Sequence, residues 1–510
     1  MMHFFIVDIF AKPFKVATYN VENLFDDVHQ GSEYDEYIPG KHNWNTRMVD
    51  IKLNHTAEVI CDINADIIGL QEIENSHIFK ALQKRLKRVG CAYKYSAISH
   101  KMGAPIQVAL LSRYPIKKQN ELIVSRSPLV RNILEVNLEV QGKKVRVFVN
   151  HWKSKGRRGV ESKRIKYAKI LKQRLNKIEH LEPYIVLGDL NSNYNEYLTI
   201  DKRTNDTNGK TAINDILQTK ISDRLIDESQ IIEKHKGLLY NTWNELPYKY
   251  RWSHKFFANK STLDHILLPS SMFDGKGIEY VNNSFGVFKS ANLFTKRGYI
   301  NHWKYKNGKH MAKGYSDHLP IYALFDTKPY KKELVKNKNY ERETVNIEYL
   351  YKKEKLESEI LLKNVVVVLK RGNSAVVKQK SQGRGIFLYG CTKGMKEGRQ
   401  YDLLVQEIST YKGLKEITSA IVSKKKGKVD LGPYYQDLST MMQNEVVRDI
   451  VGVYHRGTLK IGNSNIEIHF KKKKLTPKEG AEIKIHFAHL GYYKKIQLVI
   501  YKKSDFEIME

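Results

Sequence analysis

The stretch Tyr184-Ile-Val-Leu-Gly-Asp-Leu-Asn-Ser192 decides how the chain is interpreted. Its apolar start is typical of a buried strand. Residues two apart on a strand point to the same side, so Asp189 and Asn191 are expected to project together beyond its end. A carboxylate beside an amide suits a metal-bound phosphate. The same residues also form an ordinary turn whose side chains cap local backbone, so this motif alone leaves both interpretations open.

Other predicted strands also end in polar side chains. One begins at Phe14 and alternates, and another begins at Asp66 and is continuously apolar. The polar residues associated with these and later strands are, in chain order, Asn20 and Glu22, Glu72, His151, Asp264, and Asp317 with His318. A buried carboxylate is costly unless it is paired or bound to a metal. Asp264 therefore needs a partner, and His318 is the natural candidate.

A basic cluster follows His151 and consists of Lys153, Lys155, Arg157 and Arg158. Such clusters are usually solvated loops. At the mouth of a strand that ends in histidine, the cluster is better explained as a clamp on a phosphate backbone around a catalytic group. A second basic and aromatic stretch, residues 270–314, is expected either to lie across a polyanion or to be a folded loop.

The length and the charge of the chain bound the function classes. A chain of 510 residues exceeds the size of one hydrophobic core, so two or three domains are expected. The 87 Lys and Arg residues against 55 Asp and Glu residues give a formal net charge of +32. This surplus favours nucleic acid as the partner, followed by anionic membranes. A solubility or genomic composition effect is the alternative explanation.

The cysteines and the N-terminus bear on the compartment. Cys61, Cys91 and Cys391 cannot form a disulfide framework and are each expected to be a small buried apolar residue. Residues 1–13 are interpreted as the remnant of a signal segment, although they carry Asp8 and lack a basic leading region. A secreted or periplasmic location is favoured over a cytoplasmic one. No later stretch has the length and apolarity of a bilayer span, so no stable membrane insertion is expected.

The ordered set of strand ends over residues 14–326 resembles the endonuclease/exonuclease/phosphatase superfamily, which includes deoxyribonuclease I and sphingomyelinases. The resemblance implies an α/β fold, namely a four-layered sandwich in which two β-sheets pack face to face with helices outside. It also implies that Glu72 is the main ligand of a divalent cation. Asn20, Glu22 and Asp317 would lie close to that cation.

The same resemblance implies the remaining roles in the site. His318 would act as a base on the attacking water and would be oriented by Asp264. Asp189 would act near the leaving group, Asn191 would hold a phosphate oxygen, and His151 would contact the scissile phosphate. Independently of the family, a cluster of oxygen ligands without cysteine suits Mg²⁺ or Mn²⁺, with Ca²⁺ as a third candidate.

One segment of the sequence bears on which substrate is expected. Asn150-His-Trp-Lys-Ser-Lys155 is similar to the Asn-His-Leu-Lys-Ser-Lys form of secreted bacterial nucleases in this superfamily. Together with the net charge, it favours a monomeric nuclease that acts on DNA. One alternative is a phosphoinositide or sphingomyelin hydrolase on the same scaffold. The other is a nucleic-acid-binding protein without catalysis, which would bind DNA tightly without turnover.

The second half of the chain has a different pattern. Residues 327–357 are rich in charge and are expected to be a linker. Residues 358–510 show short strands with glycine-rich turns, and two subdomains that resemble an oligonucleotide/oligosaccharide-binding barrel are expected at 358–423 and 445–503. The lysine runs at 424–426 and 471–474 suit a module that binds the same polyanion.

Overall fold

The computed structural model describes residues 12–156, 159–178, 182–222, 224–233, 237–256, 259–328, 343–356 and 359–509. The expected signal segment, except for its last two residues, and residues 329–342 and 357 of the expected linker therefore lie outside the described residues, as do Arg157 and Arg158. The chain divides into two compact units, Met1–Asn339 and Tyr340–Glu510. None of the helices in the described part of the chain combines the length and the apolarity that a bilayer crossing requires.

Two large sheets form the centre of the first unit. The strands of the first sheet are, in spatial order, Glu279–Tyr280, Ile321–Asp326, Phe14–Leu24, Ile67–Ile73, Gln107–Ser112 and Tyr95–Ile98, and Gly286–Val287 also pairs with Ile321–Asp326. Those of the second sheet are Tyr240–Asn241, Asp264–Leu268, Tyr184–Asp189, Lys143–His151, Ile133–Val140 and Ile116–Leu122. Each sheet contains one parallel pair, namely Phe14–Leu24 with Ile67–Ile73 and Lys143–His151 with Tyr184–Asp189.

The apolar pattern of each strand explains the layering. Phe14 and Val16 lie in the core between the two sheets, whereas Ala17 and Tyr19 lie in the core between the first sheet and its helices. Because both faces of these strands are covered, their sequences are nearly continuously apolar. Helices Thr46–Ile63 and Ser76–Arg88 cover the first sheet, and Glu161–Leu175 covers the second. The four-layered α/β sandwich is therefore confirmed.

Shorter elements complete the first unit. The helices are Glu196–Thr199 and Glu228–Glu233, and the paired short strands are Lys220–Ile221 with Arg224–Leu225, His254–Phe256 with Asn259–Ser261, and Tyr305–Lys306 with Lys309–His310. Within the stretch 270–314, Phe285 and Trp303 are buried in the core, which favours the folded loop over a flat binding surface.

A disulfide joins Cys61 to Cys91, across a Cα–Cα distance of 5.6 Å. The expectation of three separate apolar cysteines was wrong for these two residues, whereas Cys391 is a free, partly buried thiol. The first cysteine lies in the last turn of helix Thr46–Ile63, and the second follows helix Ser76–Arg88. Packing of these two helices against the same sheet brings the thiols together, and their spacing in the sequence does not show this.

The second unit contains two five-stranded barrels. The first barrel consists of Ile360–Arg371, Ser374–Lys378, Gly385–Leu388, Leu414–Lys428 and Arg399–Tyr411, which closes on Ile360–Arg371. The second consists of Val446–His455, Thr458–Ile461, Ser464–Phe470, Lys495–Ile500 and Glu482–Tyr493, which closes on Val446–His455, with Phe506–Ile508 at its side. The two barrels share one strand order, in which the strands that are third and fifth along the chain pair in parallel.

The end of the expected linker belongs to the first barrel. Thr344–Val345 pairs in parallel with Ile360–Arg371, and Ile347 and Leu350 of helix Ile347–Tyr351 lie in the barrel core. In the sequence, charged residues surround Ile347 and Leu350. The helical spacing of these two apolar residues is therefore difficult to recognise.

Candidate active site

The ends of the two sheets bring the predicted polar residues into one pocket. In the second sheet, His151 pairs with Asp189, and Asp189 pairs with Asp264 on the other side. In the first sheet, Asn20 and Glu72 come from neighbouring parallel strands. The side-chain amide of Asn20 donates to Glu72 Oε1 at 3.0 Å and to Asp189 Oδ2 at 3.1 Å. Asn20 therefore connects the polar ends of both sheets.

Glu22 and Glu72 are held by unusual backbone. Both have positive φ, 54° for Glu22 and 67° for Glu72, a conformation that costs about 1–3 kcal/mol outside glycine. Glu72 Oε2 accepts a hydrogen bond from the amide of Asn23 at 2.9 Å, and Glu22 Oε2 accepts one from the amide of Trp303 at 3.0 Å. Burial and the nearby charge of Asp317 raise the pKa of both carboxyl groups.

This crowding of carboxyl groups fits a divalent cation. Burial first, and the charge of Asp317 second, disfavour the charged forms of Glu22 and Glu72, and a bound cation would offset both effects. Glu72, Glu22 and Asp317 offer carboxylate oxygens, which are the ligands that hard cations such as Mg²⁺ prefer. Both glutamate side chains keep some exposure, 17% for Glu72 and 18% for Glu22, so the site is open to water and substrate. The donor set is therefore suited to a magnesium-like ion.

Asp264 and His318 form a buried pair. His318 Nδ1 lies 2.8 Å from Asp264 Oδ2, which also accepts a hydrogen bond from the hydroxyl of Ser253 at 2.5 Å. Burial opposes the charge of His318, but the carboxylates of Asp264 and Asp317 outweigh it and raise the pKa of His318 well above its usual range. The ring is therefore an imidazolium at neutral pH, and to act as a base it must first lose a proton.

Asp189 is the carboxyl group best placed to exchange a proton. Burial raises the pKa of Asp189 to about 7, although the charge of His318 opposes the shift. The backbone amide of Asn191 donates to Asp189 Oδ1 at 2.8 Å, and its side-chain amide donates to Asp189 Oδ2 at 3.1 Å. Gly188 is required here because a Cβ would lie 2.1 Å from the carbonyl oxygen of Asn150. Both interpretations of the motif therefore hold, since it caps a turn and also delivers Asp189 to the pocket.

His151 is a neutral neighbour of the acidic groups. Its Nε2 lies 3.5 Å from Asp189 Oδ2 and 3.6 Å from Glu72 Oε1. Burial and the charge of Arg131 lower the pKa of His151 well below its usual range. Arg131 donates from Nε to the carbonyl of His151 at 3.1 Å and from a terminal nitrogen to that of Trp152 at 2.7 Å. Arg131 therefore holds the backbone that carries His151.

The two described lysines of the basic cluster after His151 have different surroundings. The Lys155 ammonium lies 2.8 and 2.6 Å from the two carboxylate oxygens of Glu196, so it forms a salt bridge, and its contact with phosphate stays a prediction. Burial and the charge of Arg131 lower the pKa of Lys153. Lys153 also remains a candidate for substrate contact.

Several residues near the site were missed in the sequence. The His254 ring lies 4.8 Å from the His318 ring, and its Nε2 is 3.7 Å from Asp317 Oδ2. His302 Nδ1 lies 3.8 Å from Glu22 Oε1, and this interaction raises the pKa of His302. His254 belongs to a short strand pair and His302 to a folded loop, where no hydrophobic periodicity marks a position. Only spatial neighbours identify them.

The family follows from a comparison with known protein families. A model described as the Endonuclease/Exonuclease/phosphatase family matches residues 15–327, which is more than half of the chain. The chain belongs to the endonuclease/exonuclease/phosphatase family. Members of this family are hydrolases, usually metal-dependent phosphoesterases. The matched residues coincide with the four-layered sandwich and contain the whole pocket described above.

Solved structures similar to this chain include TDP2 from Caenorhabditis elegans, with 15% identity, 62% of this chain and 75% of that chain covered, and a TM-score of 0.39. A family protein from Leptotrichia buccalis has 17% identity over 61% of this chain and 99% of its own, with a TM-score of 0.37. TDP2 from D. rerio, complexed with single strand DNA product, has 13% identity over 62% and 98%, with a TM-score of 0.37. A comparison with curated protein sequences finds no match.

Proposed function

We propose that this protein is a metal-dependent phosphodiesterase that hydrolyses nucleic acid, with DNA as the preferred substrate. The observation that carries the proposal is the convergence of Asn20, Glu72 and Asp189 from two sheets beside the Asp264–His318 pair. Buried carboxyl groups with shifted pKa values in an open pocket are typical of functional sites. The net charge of +32 favours a polyanionic substrate over a neutral one.

The residues divide the work of phosphodiester hydrolysis. A divalent cation held by Glu72, with Glu22 and Asp317 near it, would withdraw negative charge from the phosphoryl oxygens. The charged His318 attracts the phosphate, and Asp264 fixes its orientation. Asp189, with a pKa of about 7, exchanges a proton with water or with the leaving oxygen at neutral pH. Asn191 and His151 contact the phosphate from the second sheet.

The role of His318 as a base depends on the charge around Asp317. The carboxylates of Asp264 and Asp317 hold the proton on His318, and this hold would be weaker if the negative charge of Asp317 were offset by a bound cation. With the cation bound, His318 and Asp189 are both able to carry a proton in the reaction. The pocket therefore contains one base and one acid from different sheets.

The second unit is proposed to bind the same polyanion. The Lys412 ammonium lies 5.4 Å from the ring centroid of Tyr411 and 4.5 Å from that of Tyr493. These residues come from hairpin tips of the two barrels, and the rings are 59% and 45% exposed. Exposed aromatic rings beside a cation suit single-stranded nucleic acid, whose bases stack on aromatic side chains.

The disulfide supports a location outside the cytoplasm. Such bonds persist in secreted and periplasmic proteins and are rare in the cytosol. Cys61–Cys91 therefore favours a secreted or periplasmic nuclease.

The test is cleavage of plasmid and linear DNA by wild-type protein and by Glu72→Gln in Mg²⁺, with EDTA as a further arm. Wild type is expected to cleave in Mg²⁺ and not in EDTA, and Glu72→Gln is expected to be slower by about 10³-fold. Glu479→Gln, at an exposed position of the second barrel, is the matched control and should cleave like wild type. Undiminished cleavage by Glu72→Gln contradicts the mechanism, and turnover of sphingomyelin instead of DNA contradicts the substrate.

A further inference from the structure

Three side chains beside the proposed magnesium site form a second group of possible metal ligands, which shares Asp317 with that site. His254, Asp317 and His318 each offer one ligand atom, and these atoms all lie within 4.8 Å of one another. Asp317 stands between the rings, with Oδ2 at 3.7 Å from His254 Nε2 and Oδ1 at 3.9 Å from His318 Nε2. No sequence motif gives a role to His254.

The distances are close to those of a bound transition metal. Zn–N and Zn–O bonds are about 2.0–2.1 Å, so ligand atoms of a tetrahedral site lie roughly 3.3–3.5 Å apart. The two histidine nitrogens lie 3.7 and 3.9 Å from different oxygens of Asp317, and the three ligand atoms lie within 4.8 Å of one another, so the side chains must draw together to bind the metal. Asp317 is 42% exposed, so water can take the fourth position.

The surroundings of His318 match those of a metal ligand. A metal-binding histidine usually donates its other ring nitrogen to a carboxylate, which fixes the ring and makes it a better ligand. His318 Nδ1 already faces Asp264 Oδ2 at 2.8 Å, and the metal would bind Nε2 in place of the proton on that nitrogen, which is released to water. His254 is held next to His318, because the backbones of the two residues form an antiparallel bridge. The group is therefore held in place before any metal binds.

The ligand types distinguish this group from the Glu72 site. Glu72 and Glu22 offer only oxygen, which suits Mg²⁺, whereas two imidazoles and one carboxylate suit Zn²⁺ and similar transition metals. We propose that His254, Asp317 and His318 form a second cation site that takes Zn²⁺ and thereby inhibits the enzyme. Zn²⁺ binding would occupy His318 Nε2 and draw Asp317 away from the magnesium site.

Zinc binding can be measured without any assay of activity. Tag-free protein is dialysed against Zn²⁺ in excess Mg²⁺, and the bound zinc is compared among wild type, His254→Ala and Asp317→Asn. Each variant is expected to lose one tight zinc equivalent, with affinity for that zinc at least about 10-fold weaker. His455→Ala is the matched control, because it removes an exposed histidine beside Glu479 and should keep the wild-type stoichiometry.

Two features keep the binding test decisive. If His254→Ala fails to fold, Asp317→Asn reports on the same site from a partly exposed position with little change in shape. Equal zinc stoichiometry and affinity in wild type, His254→Ala and Asp317→Asn would overturn the site. Loss of the same zinc in His455→Ala would also overturn it, because the metal would then be on the surface of the second barrel.

The inhibition rests on the proposed function and is tested separately. Cleavage of DNA in Mg²⁺ is measured with and without Zn²⁺, and the ratio of the two rates is compared between wild type and Asp317→Asn. Zinc is expected to slow wild type at least about 10-fold at saturation and to change the ratio less in the variant. Zinc binding without inhibition overturns the inhibitory role. If the protein binds zinc but cleaves no DNA, the zinc site is supported and the proposed nuclease function is contradicted.

Discussion

His318 in the first unit and His489 in the second are both buried, but the pKa of His318 is raised and that of His489 is lowered. His318 in the first unit faces carboxylates, which outweigh burial and raise its pKa. His489 in the second unit lies between the hydroxyl of Tyr501 and the side chain of Asn444, at 3.0 and 3.1 Å, and stacks on Phe387. Burial and the charge of Lys471 lower the pKa of His489 to about 3. Burial with a neighbouring cation therefore favours the neutral form of His489, whereas neighbouring carboxylates favour the charged form of His318.

The acidic groups of the two units differ in whether a neighbouring opposite charge compensates them. In the second unit, the ammonium of Lys378 lies 2.6 Å from Glu445 Oε2, and both side chains are 1% exposed. In the first unit, Glu22 and Glu72 are crowded with other carboxyl groups and have raised pKa values. The paired charges of the second unit serve its structure. The strained, incompletely compensated charges of the first unit are suited to binding a cation and a phosphate.

The largest expected effect comes from removing the carboxylate behind His318. Asp264→Asn should lower kcat for DNA cleavage by about 10³-fold or more, because an amide neither charges His318 nor holds it in one orientation. Steady-state kinetics at saturating substrate measure this. Ser253→Ala, which removes only a hydrogen bond to Asp264, is the control and should lose far less. A wild-type kcat in Asp264→Asn would show that the pair is structural, as in the second unit.

The next effect concerns the buried salt bridge of the second unit. Glu445→Ala should destabilise that unit by about 3–5 kcal/mol, because it leaves the Lys378 ammonium buried without a partner. Urea unfolding of the full chain, followed by hydrogen exchange in the barrels, measures the change. The double variant Lys378→Met with Glu445→Leu should recover most of the loss. A loss as large in the double variant as in Glu445→Ala would contradict the charge argument.

A smaller effect separates the two histidines by pH. His489 has a lowered pKa in the folded state, so its contribution to stability is complete above its unfolded pKa of about 6.5. The contribution decreases as the pH falls towards about 3, by up to about 1.4 kcal/mol per pH unit. His318, whose folded pKa is raised, contributes with the opposite sign and loses its contribution as the pH rises. The two units should therefore respond to pH in different directions at these residues.

The free energy of unfolding of the second unit is measured by urea unfolding between pH 7 and pH 5. The wild type should lose about 2 kcal/mol of this free energy over the range because His489 resists protonation in the folded state, and the free energy of His489→Gln should change less with pH. Replacement of the exposed His486 by Gln is the control, because that side chain is one-third exposed and should leave the slope unchanged. If the free energy of unfolding depends on pH equally in the wild type and in His489→Gln, a group other than His489 causes the acid sensitivity.

The smallest effect concerns binding by the second unit. Tyr411→Ala and Tyr493→Ala should each weaken binding of single-stranded DNA by about 1–3 kcal/mol, because one stacking surface is lost. Lys412→Gln should instead reduce the salt dependence of binding, by a slope of about 0.7. Fluorescence anisotropy over a range of salt concentrations measures both. Unchanged affinity in both tyrosine variants would remove this surface from the proposed binding module.

The predicted fold is confirmed where hydrophobic pattern and strand ends agree. The sequence predicts helices at 47–64, 78–89 and 161–178, and the structure has Thr46–Ile63, Ser76–Arg88 and Glu161–Leu175. The sequence also predicts one strand at residues 451–461, where the structure has two strands, Val446–His455 and Thr458–Ile461, separated by a tight turn. A two-residue turn leaves the alternation of apolar residues nearly unbroken, so the sequence pattern cannot show it.

The sequence by itself determined the alternation of helices and strands in the first region, the short strands of the second, and the order of acidic, amide and imidazole side chains, because these follow from local apolar periodicity and from residue identity. The four layers were expected only from the resemblance to the family. The tertiary structure alone decided which groups meet. It paired Lys155 with Glu196, joined Cys61 to Cys91, and placed His254 beside His318. These contacts depend on distances between segments far apart in the chain, which no local pattern encodes. Charge states followed from the same contacts, since burial and neighbouring charges set each pKa.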